Sequence, residues 1–192
     1  QAEAVSDVFD KLVNQQGLVK AGSMVSKDGK ISLVSNSDGI VQNTGTLDAS
    51  AIEAGAKGGT IEMTGSKVGQ FGTAHADAID GNGGNIDLYA RDVVSLSSGS
   101  LTTANAGLNG NGGNITVISP DMALFWPDAV IQAKGGALSG NGGFVEVSGY
   151  RHTEVYGIVD TSASNGLGGT FLIDPFSIDI LATANAFGSW VV

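Results

Sequence analysis

The side chains able to do acid, base or metal chemistry are few. The chain holds two histidines, His75 and His152, two arginines, Arg91 and Arg151, and no cysteine. Without thiols there is no disulfide, no thiolate metal site and no thiol nucleophile. A Gly-x-Ser-x-Gly elbow is absent, and the glycine-rich turns lead into strand-like rather than helix-like sequence, so none of them presents a helix N-terminus to a phosphate. Carboxylates are more numerous. Glu62, Asp87 and Glu146 recur at one place of a repeat, together with Ser32, Thr116 and Leu172. Stacked, Glu62 and Asp87 would lie within about 5 Å and repel one another unless a cation or a basic neighbour intervened. A hydrated acidic stripe is the expectation. Calcium is the alternative, although the spacing does not match the nonapeptide calcium repeat. Asp48 and Asp160 fall in one column but four repeats apart, too far for the paired carboxylates of glycoside hydrolysis. No catalytic, cofactor-binding or metal-ligating residue is therefore assigned, and the chain is read as a non-enzyme.

The elements that position these residues are read from an internal repeat. Paired glycines precede alternating segments at Thr60–Met63, Asn85–Leu88, Asn114–Val117, Phe144–Val147 and Thr170–Ile173, and Asp28-Gly29 precedes the related Lys30–Leu33. Alternation of apolar and polar residues is the mark of a half-buried strand. The apolar column Ile31, Ile61, Ile86, Ile115, Val145 and Phe171 repeats every 25 to 30 residues. A second column, Val19, Leu47, Ala74, Leu101, Ile131 and Val159, is followed two residues later by Ala21, Ala49, Ala76, Thr103, Ala133 and Thr161. A looser third runs through Val41, Val68, Val94, Leu124 and Val155. Three short strands per repeat describe a coil of a parallel β-helix, and six such coils, about 4.8 Å apart, predict a rod about 29 Å long. The fold class is thus all-β, a parallel β-helical solenoid spanning 17–180. Residues 1–16 lead into it, with Ala4 to Val13 patterned as a short helix capped by Ser6, and 181–192 form a tail without assignment. An open last coil would leave an apolar edge, so the natural protein is expected to continue past Val192 or to be capped there.

Composition agrees. Glycine contributes 30 of 192 residues, roughly twice ordinary usage, and charged residues only 15% against about a quarter in typical domains. Corner turns with φ > 0 or no room for a Cβ explain Gly81-Asn82-Gly83-Gly84, Gly110-Asn111-Gly112-Gly113 and Gly140-Asn141-Gly142-Gly143. The net charge of −10 repels phosphate backbones and anionic headgroups, which argues against nucleic acid as a partner. No apolar run of about 18 residues exists for membrane insertion, and Gln1 opens neither a signal nor a transit peptide, so the chain reads as soluble and as mature or excised.

Several residues have two readings. His75, between Ala74 and Ala76, is expected as a solvated imidazole, and His152 beside Arg151 and near Tyr156 as part of a small polar and aromatic patch. Trp126, with Phe125 and Pro127, is expected in a wide core layer or at the end of an insertion, the alternative being a binding platform. Asp77, Asp80, Asn105, Asn109 and the segment Lys134 to Ser139 leave one corner of the coil, the first choice for a ligand surface because loops on a rigid scaffold carry recognition. Asn114-Ile115-Thr116 is a formal glycosylation sequon.

Residues Gly142 to Gly149, then Ile158-Val159-Asp160 and Phe171 to Ile180, resemble a signature of filamentous-haemagglutinin-like exoproteins of two-partner secretion systems, closest to the high-molecular-weight adhesin and haem-haemopexin utilization types. Leu12 to Val19 and Ile40 to Ser50 match the same pattern. The resemblance implies a right-handed β-helix that leaves the cell through an outer-membrane pore-forming partner. It implies a secreted or surface-displayed adhesin segment of a Gram-negative bacterium, attaching to a host-surface or extracellular-matrix protein or glycan. A host haem-carrier-binding exoprotein is one alternative, and a β-helix carbohydrate-active enzyme is another. The family's Asn-Pro-Asn-Gly-type motif does not occur, so the chain is expected to begin after the part the transporter recognises or to be the end of that domain.

Overall fold

A computed structural model describes residues 12–20, 29–35 and 38–176. Among them every regular element is a strand. β1 (Leu12–Gln15) and β2 (Leu18–Lys20) come first, followed by β3 (Lys30–Val34), β4 (Ile40–Asn43) and β5 (Thr46–Asp48). Next are β6 (Thr60–Gln70) and β7 (Thr73–His75), then β8 (Asn85–Leu96) and β9 (Leu101–Thr103). β10 (Asn114–Ser119), β11 (Met122–Phe125) and β12 (Val130–Gln132) form one further coil, β13 (Phe144–Gly149), β14 (His152–Val155) and β15 (Ile158–Asp160) another, and β16 (Thr170–Leu172) follows.

All pairings are parallel and join a strand to its counterpart one coil away. The result is a β-solenoid of about five turns, close to the six expected. One ten-stranded sheet carries the first and second strand of each coil and a six-stranded sheet the third. In the β6 and β8 coils the first and second strands fuse into one long strand, with the register shift of that pair falling between Gly65 and Lys67. Leu12 and Val13 belong to β1, paired with β4, and not to a helix; the rest of the Ala4 to Val13 segment, Ile178-Asp179-Ile180 and the 181–192 tail lie outside the described residues.

The glycine-led column stacks as expected: Ile31, Ile61, Ile86, Ile115, Val145 and Phe171 are successive register partners, and all but Phe171 are buried. The other two columns need correction. Thr102, not Leu101, lies between Ala74 and Ile131, and the small-residue column passes through Ala104 rather than Thr103. Ala123, not Leu124, is the partner of Val68's neighbour Val94. The cause is parity: side chains alternate at period two, so one extra residue before a strand turns every side chain in it over. A fourth interior column, absent from the sequence reading, runs Asn43, Gln70, Leu96, Phe125 and Val155. Its two amides are wholly buried and satisfied: Asn43 Nδ2 donates to Gln70 Oε1 at 2.8 Å and to the Thr73 carbonyl at 2.9 Å, and Gln70 Nε2 donates to the Gly72 carbonyl at 3.2 Å.

Two causes lie behind the glycine turns. A Cβ on Gly84 would collide with the Gly59 carbonyl oxygen of the preceding coil, so the paired glycines answer to close approach. Positive φ falls instead on the first glycine of the motif, at 120° in Gly110 and 119° in Gly140. The asparagine between them is an inter-coil link. Asn82 Oδ1 accepts from the Asn111 backbone N–H at 2.8 Å, Asn111 Oδ1 from that of Asn141 at 2.8 Å, and Asn141 Oδ1 from that of Leu167 at 2.9 Å.

The displaced column generates a first prediction. Thr102 Oγ1 is buried without a hydrogen-bond partner, whereas its neighbour Thr103 donates to Asp77 Oδ2 at 2.7 Å and meets His75 Nδ1 at 2.8 Å. Thr102→Val is expected to stabilise the chain by about 1 kcal/mol and Thr103→Val to destabilise it by a similar amount, opposite signs that urea unfolding midpoints would separate. A second concerns the five Asn-Gly pairs, where attack of the glycine nitrogen on the asparagine side-chain carbonyl releases ammonia and forms a succinimide that water opens to aspartate or isoaspartate. The N–H of Gly83, Gly110, Gly112 and Gly142 each bonds a carbonyl of the next coil at 2.8 to 3.0 Å. That of Gly166 has no acceptor among the described residues, and Asn165 is held only by Nδ2 to the Ala137 carbonyl at 2.7 Å. During mildly alkaline incubation of the folded chain, peptide mapping should find the amide-to-acid mass change at Asn165 ahead of the other four; equal rates at all five would contradict this account.

Candidate functional site

The outward face of the ten-stranded sheet carries the acidic stripe. Ser32, Glu62, Asp87, Thr116, Glu146 and Leu172 are register partners in that order, as the repeat required. Neighbouring carboxylates Glu62 and Asp87 are relieved from opposite sides. Lys30 Nζ reaches Glu62 Oε1 at 2.7 Å, and Thr116 Oγ1 donates to Asp87 Oδ1 at 2.7 Å. No group of three or more histidine and carboxylate side chains is arranged to hold a metal ion among the described residues.

The loop corner chosen from the sequence is built differently from expectation. Its polar side chains are taken up in links between coils: Asp77 accepts from Thr103 and from the Asn105 backbone N–H at 2.6 Å, and Asn105 Oδ1 accepts from that of Lys134 at 2.8 Å. Asn109 donates to Asp80 at 3.0 Å and accepts from Ser139 at 2.9 Å. What this corner does present is aliphatic. Ile52, Ile79, Leu108 and Leu138 are all exposed, and backbone bonds from Ile79 to Ala51, Leu108 to Ile79 and Leu138 to Leu108 place them along one ridge over four coils. From the sequence only Leu138 falls within the chosen surface, inside the Lys134 to Ser139 segment, because loop residues follow neither strand nor helix period. Beside the ridge lies a groove of ≈ 360 Å³ that includes Lys134 and Asp160, whose charged atoms are 4.0 Å apart.

His75 is not a free surface imidazole. Thr103 spends its only proton on Asp77, so the 2.8 Å contact with His75 requires the imidazole to donate from Nδ1. His152 meets Glu154 Oε1 at 2.8 Å and is remote from His75, while Arg151 pairs with Asp121 at 3.4 Å. Asp48 and Asp160 share a column four coils apart, and each accepts the backbone N–H two residues on. Phe125 fills the interior, but Trp126 does not: it is 41% exposed, its indole N–H donating to Ser95 Oγ at 3.1 Å, in a column with Phe71 and Tyr156. Asn114 is exposed, and its amide lies 3.5 Å from Asn85 Oδ1.

Two constellations escaped the sequence. Arg91 donates to Asp92 at 2.9 and 3.1 Å and to Asp38 at 3.1 Å, and Ser66 Oγ donates to Asp92 at 2.5 Å, tying three coils beside the register shift. The Arg91 guanidinium and then the Ser66 hydroxyl hold the Asp92 carboxyl down at about 2, and the two aspartates raise Arg91 further. Asp38 lies in a loop 53 residues away, which no spacing rule connects. The second is a cleft of ≈ 260 Å³ on the acidic face, bounded by Tyr89, Ile118, Pro120, Glu146, Tyr150 and Asp174. Tyr89 pairs with Ile118 and Ile118 with Ser148, so the cleft spans consecutive coils. Tyr89 is 46% and Tyr150 56% exposed. The Tyr150 and Phe176 rings lie 5.5 Å apart, and the Asp174 backbone N–H is anchored on Ser148 Oγ at 3.0 Å. Period-two parity in β8 does predict Tyr89 outward, opposite buried Ile86 and Leu88, and that signal was available. No protein-family model matches this chain, and no curated protein matches it.

Asp92 titrates below its ordinary 3.8 in the fold, so the stability it contributes is full above that value and disappears as pH falls toward about 2. Arg91→Met should therefore unfold more easily than the parent chain at neutral pH, with the gap between them closing as pH drops below 3.8. Denaturant titrations at stepped pH would show it; a gap that stays constant down to pH 2 would mean that Arg91 acts by packing alone.

Proposed function

We propose that the chain is a segment of a secreted or surface-displayed bacterial adhesin, exported through an outer-membrane pore partner of a Gram-negative cell and presenting a rigid solenoid for attachment to host or matrix ligands. One observation carries the reading: large apolar side chains stand outward in register along the rod, the aliphatic ridge at one corner and, at another, Trp126 beside Tyr156, with Phe71 two coils from Trp126 across Ser97. Contiguous exposed apolar patches on a monomer mark surfaces that meet a partner. A solenoid gives such patches length without a large core, since each coil buries its interior only against its neighbours. The family resemblance of Gly142 to Gly149 and Phe171 to Ile180 supplies the route of export and the site of display. In the acidic stripe the one adjacent carboxylate pair, Glu62 and Asp87, is taken up by Lys30 and Thr116, which lends no support to turnover of a glycan there.

The experiment is adhesion of the purified chain to immobilised matrix proteins and to epithelial cell layers. Leu108→Ser with Leu138→Ser should reduce it severalfold while leaving the folded state intact by circular dichroism, because both side chains already face water. Absence of adhesion by the parent chain would refute the reading. Turnover of a host or plant glycan that disappears in Glu146→Gln would replace it with the enzyme.

A further inference from the structure

We propose that the cleft between Tyr89 and Tyr150 receives a cationic side chain, the guanidinium or ammonium group of an extended basic segment on the partner protein. This rests on the adhesive reading above and names the chemistry of its ligand. The first observation is a charge left open. Among the described residues Glu62 is matched by Lys30, Asp92 and Asp38 by Arg91, Asp121 by Arg151, and Asp87 by Thr116. The carboxylates of Glu146 and Asp174 have neither an ion pair nor a hydrogen bond, and both line this one cleft.

The second observation is the kind of wall that faces those carboxylates. Tyr89 and Tyr150 offer exposed rings whose negative faces attract a cation within about 6 Å. Tyr150 is held by Phe176, whose backbone N–H donates to the Tyr150 carbonyl at 2.8 Å, and Asp174 is held by its own backbone bond to Ser148. Tyr89 and Glu146 stand on packed strands, and Tyr150 and Asp174 on backbone bonded to its neighbours, so the backbone of the cleft is set before a ligand arrives, which lowers the ordering cost of binding. An acidic ligand would be repelled. A neutral sugar would use the rings but would leave two carboxylates without a counter-charge, whereas an arginine or lysine uses both features at once. The net charge of −10 steers positive segments toward the rod, and the cleft selects where they dock.

The test measures binding of a fluorescent oligo-arginine peptide to the whole chain by anisotropy. Glu146→Gln with Asp174→Asn should weaken binding about tenfold, and Tyr89→Ala should weaken it further. A charge-matched control, Glu53→Gln with Asp128→Asn, removes the same two charges from exposed positions elsewhere and should change affinity less than about twofold. Equal loss in both double variants would reduce the attraction to overall charge and overturn the proposal. So would failure of the peptide to bind, or binding of a neutral oligosaccharide that displaces it and depends on Glu146. The same variants in the adhesion assay separate the two claims. A parent chain that adheres but does not bind the peptide overturns the cleft alone. Peptide binding at the cleft by a parent chain that does not adhere overturns the adhesive reading alone.

Discussion

Everything in this molecule follows from the stacking of one coil's backbone on the next. A parallel ladder fixes each residue opposite the same position one repeat away, so a choice made in one coil constrains its two neighbours. Ile61, Ile86 and Ile115 are not three separate solutions to burial but one solution used repeatedly. The same holds outside: Asn82, Asn111 and Asn141 each satisfy a backbone N–H of the coil above, so even the turns are held by neighbours. Polar side chains that would be solvated on an ordinary surface are here consumed in links along the axis. What remains for a partner is therefore what the stacking cannot use: outward aliphatics, outward rings and unmatched carboxylates.

That constraint also explains what could be read from the sequence. The isoleucine column was legible because a strand buried on one face repeats its pattern after every paired glycine, and the acidic stripe followed from it by alternation. The second column failed at Leu101. A spacing of 27 residues from Ala74 fits the repeat as well as 28 does, and only the backbone shows that the Ser97–Ser100 turn is two residues longer than Phe71-Gly72 one coil before and that Thr102 points inward. Leu124 failed by the same single step. The buried amides of Asn43 and Gln70 were unreadable for a different reason: polarity marks a residue as outward unless its partner is known, and the partner lies a whole coil away. Likewise the Arg91 cluster and the tyrosine cleft join residues whose proximity arises only after coiling. The corner chosen as a ligand surface exposes Ile79, Leu108 and Leu138, whereas the polar residues beside them are bonded between coils.

The functional consequence is a division of labour around the rod. The six-stranded sheet, with its chain Asp77, Thr103 and His75, holds coils together. The ten-stranded sheet holds them together as well but keeps Glu146, Tyr89 and Tyr150 free on its outer surface. Because most of the loop donors are bonded to the next coil, the presented side chains ride on a scaffold with little room to adapt. Recognition by such a surface depends on the spacing of features along the axis more than on induced closure.

The amide pair of Asn43 and Gln70 sets the phase of the whole column. Were β4 to slide by two residues along β6, both amides would remain enclosed while losing each other, and two unpaired polar groups in a dry interior are far less tolerable than a displaced methyl group. Above that layer the corner turns apolar with Leu96 and Phe125, where a slip would meet only shape. The pair thus acts as a key in a shaft: its layer admits a single alignment, and the coils stacked on it share that alignment.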